Sequence, residues 1–246
     1  MLLTVENVSK SYRKGKKVLS GIEMAIGESE IVGLVGESGS GKSTLSRLIM
    51  HLEVPDAGIV SFQGIPVTSR SKKRFYEGCQ LIFQNASAAL NPSWTVREIL
   101  MEPLRHKIVD MDTHIRHMLG KVKLTEAHLK RRPSELSGGE RQRVNLLRSI
   151  LVNPELLICD EIVSSLDRLV QREIIDLLIE LNRETGMAIL LISHDLQVVE
   201  YMCDRIYVMK DGEIVDESVK EEGAFKFSHL YSKKLFGSLL TERQQG

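Results

Sequence analysis

The sequence predicts an α/β fold with a largely parallel sheet, a smaller antiparallel β part near the start, and an inserted block of helices. Three observations predict it. Short alternating strands fill the first third, apolar residues recur at helical spacing from Thr95 to about residue 152, and near-solid apolar runs return at 156–159 and 188–192. Runs of this last kind are typical of central parallel strands that are covered on both faces.

The first third is predicted to form an antiparallel sheet. Its strands are expected near 3–8, 18–26 and 59–62, with glycine-containing turns between them. The more continuously apolar run 79–83 predicts another strand. Farther along, the pattern predicts a βαβ unit, with a strand at 156–159, a helix over 169–183 and a strand at 188–192.

The middle of the chain is predicted to be helical. Its apolar residues recur three and four positions apart, as on one face of a helix: Val96, Ile99, Leu100 and Leu104, then Ile115, Met118, Leu119 and Val122. This block interrupts the strands and is expected to form a subdomain of its own.

Residues 36–43 read Gly-Glu-Ser-Gly-Ser-Gly-Lys-Ser and form a P-loop. A strand before it and a helix after it aim backbone N–H groups and a helix dipole at one small volume, which suits a polyphosphate. The alternative interpretation is that these residues lie in a flexible loop and match the P-loop pattern by chance. Lys42 is expected on the phosphates and Ser43 on Mg²⁺. The candidate nucleotide-binding residues are Gly36, Glu37, Ser38, Gly39, Ser40, Gly41, Lys42, Ser43 and Thr44.

A second motif ends the apolar strand at 156–159 with Asp160 and Glu161. The carboxyl edge of a parallel sheet is where α/β proteins bind ligands. Beside a P-loop, Asp160 is expected to support Mg²⁺, and Glu161 to orient and deprotonate the attacking water. The alternative, a pair of solvent-exposed acids, is weakened by the P-loop.

A third motif, Leu-Ser-Gly-Gly-Glu at 136–140, opens a helix. Ser137 can cap that helix, while Gly138 and Gly139 leave its N-terminus bare, which makes a second site for an anion. Taken alone, the motif is equally consistent with an ordinary capped helix.

Composition limits the partners. Lys and Arg number 33, as do Asp and Glu, so the zero net charge argues against a dedicated nucleic-acid binder. Three widely spaced cysteines lack metal-site spacing and indicate a reducing cytosol. No signal peptide or membrane-spanning run is predicted, so a membrane role would need a partner.

Together these motifs resemble the ATP-binding cassette (ABC) family over nearly the whole chain. Residues 36–43 match Walker A, 136–140 the ABC signature, and 156–161 Walker B. Four further matches are Tyr12, where the family places an aromatic ring on adenine, Gln84 of the Q-loop, 164–167 of the D-loop, and the switch histidine His194.

The resemblance implies a P-loop NTPase (RecA-like) core with an antiparallel β subdomain, built from residues 1–85 and 153–222. A helical subdomain would span 86–152 and a tail 223–246. The implied ligands are ATP and Mg²⁺, with the ion on Ser43, Gln84 and Asp160. The implied catalytic residues are Glu161, His194 and Gln84.

The family also implies a head-to-tail dimer of cassettes. ATP would lie on Tyr12, Lys42 and Ser43 of one subunit, and Ser137, Gly138 and Gly139 of the other would cover its γ-phosphate. Glu140 replaces the commoner Gln of the signature, an exchange that suits the first turn of a helix.

Three segments resemble importers for peptides, nickel and opine-type metal chelates: 83–96, 160–167 and 229–232. The resemblance implies a paralogous cassette as partner, two membrane permeases, an extracytoplasmic binding protein, and a peripheral place on the cytoplasmic face of the membrane. The chain stops at Gly246, without the longer extension of some peptide importers, which favours nickel or metal chelates. The alternatives are a soluble ABC ATPase of nucleic-acid metabolism and an exporter cassette.

Overall fold

The computed structural model describes residues 1–12, 15–83, 89–104, 110–164 and 166–242. In chain order its elements are β1 (Leu3–Tyr12), β2 (Lys16–Ile26), β3 (Ile31–Val35), α1 (Lys42–Ile49), β4 (Ala57–Phe62), β5 (Ile65–Pro66), α2 (Lys72–Gly78), β6 (Cys79–Ile82), α3 (Val96–Met101), α4 (Met111–Leu119), α5 (Gly138–Ile150), β7 (Leu156–Asp160), α6 (Arg168–Thr185), β8 (Ala188–Ile192), α7 (Leu196–Met202), β9 (Arg205–Lys210), β10 (Glu213–Val219) and α8 (Leu230–Glu242). Across these ranges, no helix has the length and apolar content that crossing a bilayer requires.

Two sheets organise the molecule. The smaller one has the order β2-β1-β4-β5 with antiparallel pairing. The larger one has the order β10-β9-β3-β8-β7-β6, in which all neighbours are parallel except the β10–β9 pair. The predicted α/β fold with an antiparallel β part is therefore confirmed.

The larger sheet separates two apolar cores, because successive side chains of a strand point to opposite faces. On β7, Leu156 and Ile158 pack with α1 and the antiparallel sheet, while Leu157 and Cys159 pack with the helical block and α6. The buried cysteines divide in the same way: Cys79 belongs to the first core, and Cys159 and Cys203 to the second. The central strands are thus covered on both faces.

Helix boundaries follow local capping. The predicted helix 169–183 extends to Arg168–Thr185, because the Asp167 side chain accepts the N–H groups of Leu169 and Val170 at the start. At the other end Gly186 takes a left-handed conformation, with φ 71°. In the helical block, Thr95 and Glu98 form a capping box that begins α3.

Gly33 on β3 is a site where we expect a large loss of stability. A Cβ added there would lie 2.7 Å from Val199 Cγ1 and 3.0 Å from Cys203 Sγ, at the end of α7. Gly33→Ala is therefore expected to destabilise the fold by about 1–3 kcal/mol through overpacking. Chemical denaturation of the purified chain measures this difference.

The matched control is Gly120→Ala. Gly120 has helical angles, φ −59° and ψ −36°, and a Cβ added there meets no atom within 4 Å. This exchange is expected to be neutral or to stabilise by about 0.4–1 kcal/mol. Equal stabilities of the two variants would contradict the close packing of α7 on β3.

Candidate nucleotide-binding site

The P-loop folds tightly around the side chain of Lys42. Lys42 Nζ donates to the carbonyl oxygen of Gly36 at 2.7 Å and to that of Glu37 at 2.9 Å. α1 begins at Lys42, directly after Gly41, whose φ of 108° brings the chain into the helix. The ammonium group and the positive end of α1 therefore occupy the same small region.

Glycine is required at two positions of this loop because the backbone passes close to its neighbours. A Cβ on Gly36 would lie 2.1 Å from the carbonyl oxygen of Met209, and one on Gly41 would lie 2.6 Å from Leu19 Cδ2. In contrast, a Cβ on Gly39 would meet no atom within 4 Å. The loop is packed on its protein side and open at Gly39.

Burial lowers the pKa of Lys42, while the carboxylates of Glu161 and Asp160 act in the opposite direction. The side chain is 6% exposed. Positive charge held at this depth is stabilised by negative charge in front of it, as a phosphate would supply. The electrostatics of the loop therefore suit a polyphosphate.

Asp160, the last residue of β7, lies next to α1. Ser46 Oγ lies 3.2 Å from Asp160 Oδ2 and 3.1 Å from the carbonyl oxygen of Ser43. Burial raises the pKa of Asp160, and the neighbouring Glu161 charge raises it further. A half-buried carboxyl beside a second acid and a serine hydroxyl forms a set of oxygen donors that fits Mg²⁺.

Glu161 follows β7 in a left-handed conformation, with φ 51°. Its N–H donates to the carbonyl oxygen of Ile192 at the end of β8, at 2.9 Å. Its Oε1 lies 3.4 Å from Nδ1 of His194, two residues farther along that edge. The adjacent strands therefore bring two of the three predicted catalytic side chains together.

Tyr12, at the end of β1, is linked to α1 through Glu53. Its hydroxyl is hydrogen-bonded to the Glu53 carboxylate, which lies 3.7 Å from Arg47 of α1. The ring is 41% exposed, and Lys10 Nζ lies 5.9 Å from its centroid. An exposed aromatic ring is thus fixed next to the helix that begins in the P-loop.

The signature segment forms the start of α5. Ser137 accepts the N–H of Glu140, and the Glu140 carboxylate accepts the N–H of Ser137 at 2.6 Å, which completes a capping box. A Cβ on Gly138 would meet no atom within 4 Å, whereas one on Gly139 would lie 2.8 Å from Val170 Cγ1. The helix start is therefore supported on one side and open at Gly138.

Glu140 is held by two side chains of the helical block, His128 and Arg131. Its Oε1 accepts from His128 Nε2 at 3.0 Å, and Arg131 Nη1 lies 3.7 Å away. Because His128 Nδ1 accepts the N–H of Thr125, Nε2 carries the donated proton. The bond from the Ser137 backbone, followed by the bonds to the Ser137 side chain and to His128, lowers the pKa of Glu140. The Glu140 carboxylate is thus engaged by neighbouring groups of the helical block.

The structure brings Lys42, Ser43, Asp160, Glu161 and His194 into one region. In the described part of the chain, no hydrogen bond or ion pair connects residues 137–140 to the P-loop. Gln84 and Ser165 of the predicted Q-loop and D-loop lie outside the described residues.

Sequence reasoning missed Ser46, which is 1% exposed and connects α1 to Asp160. Its only signal in the sequence is a serine on the otherwise apolar face of α1. It also missed Asp195, which caps α7 and accepts from Gln171 Nε2 of α6 at 2.8 Å. Asp195 thereby fixes α6 against the segment that carries His194.

The ABC transporter family model matches residues 19–164, more than half of the chain. The chain belongs to the ABC transporter family. Cassettes of this family bind ATP, and the residues at the P-loop are those of such a cassette.

Two curated relatives indicate the subfamily to which the chain belongs. The nickel import ATP-binding protein NikE of Rhodospirillum rubrum is 42% identical over 98% of this chain and 92% of the relative. The oligopeptide transport ATP-binding protein OppF of Streptococcus mutans is 38% identical over 97% of this chain and 81% of the relative. The predicted peptide and nickel importer subfamily is confirmed, and this cassette is an ABC importer ATPase.

A solved structure supports the fold and the activity. The ATP-binding cassette MJ0796, described as a dimer in a post-hydrolysis state bound to ADP and Pi, superposes with a TM-score of 0.79 at 29% identity. The match covers 88% of this chain and 98% of that one.

Proposed function

We propose that the chain is one of two ATP-binding cassettes that power the import of nickel ions or metal chelates through a membrane complex. The observation that carries this proposal is the pair of helix starts suited to phosphate, at α1 and α5, on one chain. No hydrogen bond or ion pair among the described residues joins them, so we infer that each encloses a nucleotide when a second cassette supplies the other.

The first of these helix starts, at α1, would hold ATP. Lys42 and the N-terminus of α1 bind the β- and γ-phosphates, and Tyr12 stacks on the adenine ring. Ser43, Asp160 and Gln84 would hold Mg²⁺, which neutralises part of the charge on the phosphates. The raised pKa of Asp160 supports this assignment, because a cation next to the carboxyl offsets the cost of its burial.

Hydrolysis would depend on Glu161. Its carboxylate orients a water molecule towards the γ-phosphorus and accepts a proton as that water attacks, while the bond to the ADP oxygen breaks. His194, 3.4 Å from Glu161, holds the carboxylate in position. ADP and inorganic phosphate are the products.

The second helix start, at α5, would contact the nucleotide that is bound to the partner cassette. Ser137, Gly138 and Gly139 would cover the γ-phosphate bound to the facing cassette, and the open space at Gly138 suits that role. The arrangement is head-to-tail, with a paralogous cassette as partner. The dimeric state of the MJ0796 cassette supports it.

A groove at the β6 end of the large sheet is suited to the permease partners. It measures about 700 Å³, and its lining includes Leu52, Tyr76 and Phe83. Leu52 is 53% exposed and Phe83 46% exposed. Exposed apolar side chains around a cleft mark a protein interface. Two permeases would bind the cassettes at the cytoplasmic face of the membrane, and an extracytoplasmic binding protein would deliver the substrate from the opposite side.

The experiment that tests this function is reconstitution of the chain with its partner cassette and two permeases in liposomes. Binding protein loaded with nickel is expected to stimulate ATP hydrolysis and nickel uptake. Stimulation by a peptide alone would indicate the substrate class of OppF instead. ATP hydrolysis without any transport would overturn the proposal.

The same complex tests the groove. Leu52→Ser is expected to weaken association with the permeases about tenfold or more, as for a central apolar contact. Val219→Ser is the matched control, because Val219 is similarly exposed, at 54%, on β10 at the opposite edge of the sheet. Equal association of both variants would exclude this groove as the docking surface.

A further inference from the structure

The tail motif at 229–232 is fastened to the core by one buried carboxylate. Asp216 of β10 is 8% exposed. Its Oδ1 accepts from Ser228 Oγ at 2.9 Å, and its Oδ2 accepts from the N–H of His229 at 2.8 Å. His229 Nδ1 then accepts the N–H of Tyr231 at 3.1 Å. These bonds fix the first turn of α8 in front of the large sheet.

From this position the side chain of Tyr231 contacts the P-loop. The N–H of Glu37 donates to the Tyr231 hydroxyl at 3.3 Å. The carbonyl oxygen of the same peptide group, that of Gly36, accepts from Lys42 Nζ at 2.7 Å. One peptide plane of the P-loop therefore lies between the phenol of the tail and the ammonium group of Lys42. Bonds in such a chain polarise and strengthen one another.

The exposed arc of the P-loop, residues 37–39, is held at both ends. Tyr231 holds Glu37, and the N–H of Gly212, in the β9–β10 turn, donates to the carbonyl oxygen of Ser40 at 3.1 Å. Lys210 Nζ lies 5.1 Å from the centroid of the Tyr231 ring and favours the position of that ring. These two supports, Tyr231 and Gly212, come from the part of the chain that follows β9.

We propose that Tyr231 is a positioning residue of the P-loop, which orients the Gly36–Glu37 peptide and through it the Lys42 side chain. The C-terminal tail thereby sets the affinity of the cassette for ATP. This inference rests on the proposed ATP site. Burial raises the pKa of Tyr231, so its hydroxyl keeps its proton at neutral pH.

Tyr231→Phe tests the proposal, because it keeps the ring and removes only the hydroxyl. The dissociation constant for ATP and the KM of ATP hydrolysis are expected to rise about three- to tenfold, as for the loss of one hydrogen bond. The kcat is expected to stay within about twofold, since Tyr231 touches none of the reacting atoms. Asp216→Asn, which loosens the anchor of the tail, is expected to shift KM in the same direction.

Tyr201→Phe is the matched control. Its hydroxyl donates to Asp176 Oδ1 at 3.0 Å on the surface of α7, so this variant also loses one hydrogen bond. Its ATP affinity is expected to equal that of the wild type. A purely structural role for Tyr231 would lower the melting temperature and kcat while KM stayed unchanged, and that result would overturn the inference. A wild-type chain that fails to bind ATP would instead contradict the proposed site.

Discussion

Replacing Glu161 with Gln is expected to lower the rate of ATP hydrolysis about 10²- to 10⁴-fold, the usual contribution of a general base. Gln keeps the size of the side chain but cannot accept a proton from water. The proposed contacts of Lys42 with phosphate and of Ser43 with Mg²⁺ remain, so the affinity for ATP is expected to be unchanged. With ATP present the cassettes are expected to accumulate as dimers, which size-exclusion chromatography and steady-state ATPase assays measure together.

Glu155→Gln is a suitable control for this variant. Glu155 precedes the same strand at its opposite end, where its carboxylate is hydrogen-bonded to Gln63 Nε2. Its replacement is expected to leave hydrolysis unaffected. Normal turnover in Glu161→Gln would exclude Glu161 as the base and move that role to another side chain.

Replacing Lys42 with Ala is expected to weaken ATP binding about 10- to 100-fold. The reason is the loss of a charge-assisted hydrogen bond to phosphate, worth about 1.5–3 kcal/mol. Fluorescence titration with a labelled ATP analogue measures the change directly. The effect is expected to be smaller for a nucleotide that has fewer phosphates.

Loss of Lys42 also removes two hydrogen bonds inside the P-loop. A variant of a second lysine separates this structural effect from the loss of phosphate binding. Lys220 Nζ likewise donates to two carbonyl oxygens, those of Glu200 at 2.7 Å and Tyr201 at 3.3 Å. Lys220→Ala is therefore expected to remove two similar internal hydrogen bonds without changing the affinity for ATP. The assignment of Lys42 fails if both variants bind ATP equally well.

Much of the fold could be predicted from the sequence because each strong pattern had one physical solution. Solid apolar runs such as 188–192 can only be buried on both faces, and β8 indeed lies inside the large sheet. The apolar spacing around Val96 and Ile115 likewise predicted α3 and α4. The motifs placed Lys42, Asp160 and Glu161 at the carboxyl edge of the strands, where the structure has them.

The features that escaped prediction depend on tertiary contacts. The pattern of β10 gave little indication of a strand, because it forms the edge of the sheet and Asp216 occupies one of its buried positions. The left-handed turn at Glu161 follows from its bond to the carbonyl oxygen of Ile192 on the next strand. Similarly, the contact between Tyr231 and Glu37 joins residues 194 positions apart, and the sequence carries no measure of that proximity.

The division of the cysteines between the two cores gives the molecule internal reporters of partial opening. Burial raises the pKa of each thiol, so alkylating reagents react with it only when the surrounding core exposes it. Cys79 would then record exposure on the antiparallel side of the sheet, and Cys159 and Cys203 exposure on the helical side. Mass spectrometry of alkylated peptides can therefore show whether nucleotide protects one half of the cassette before the other.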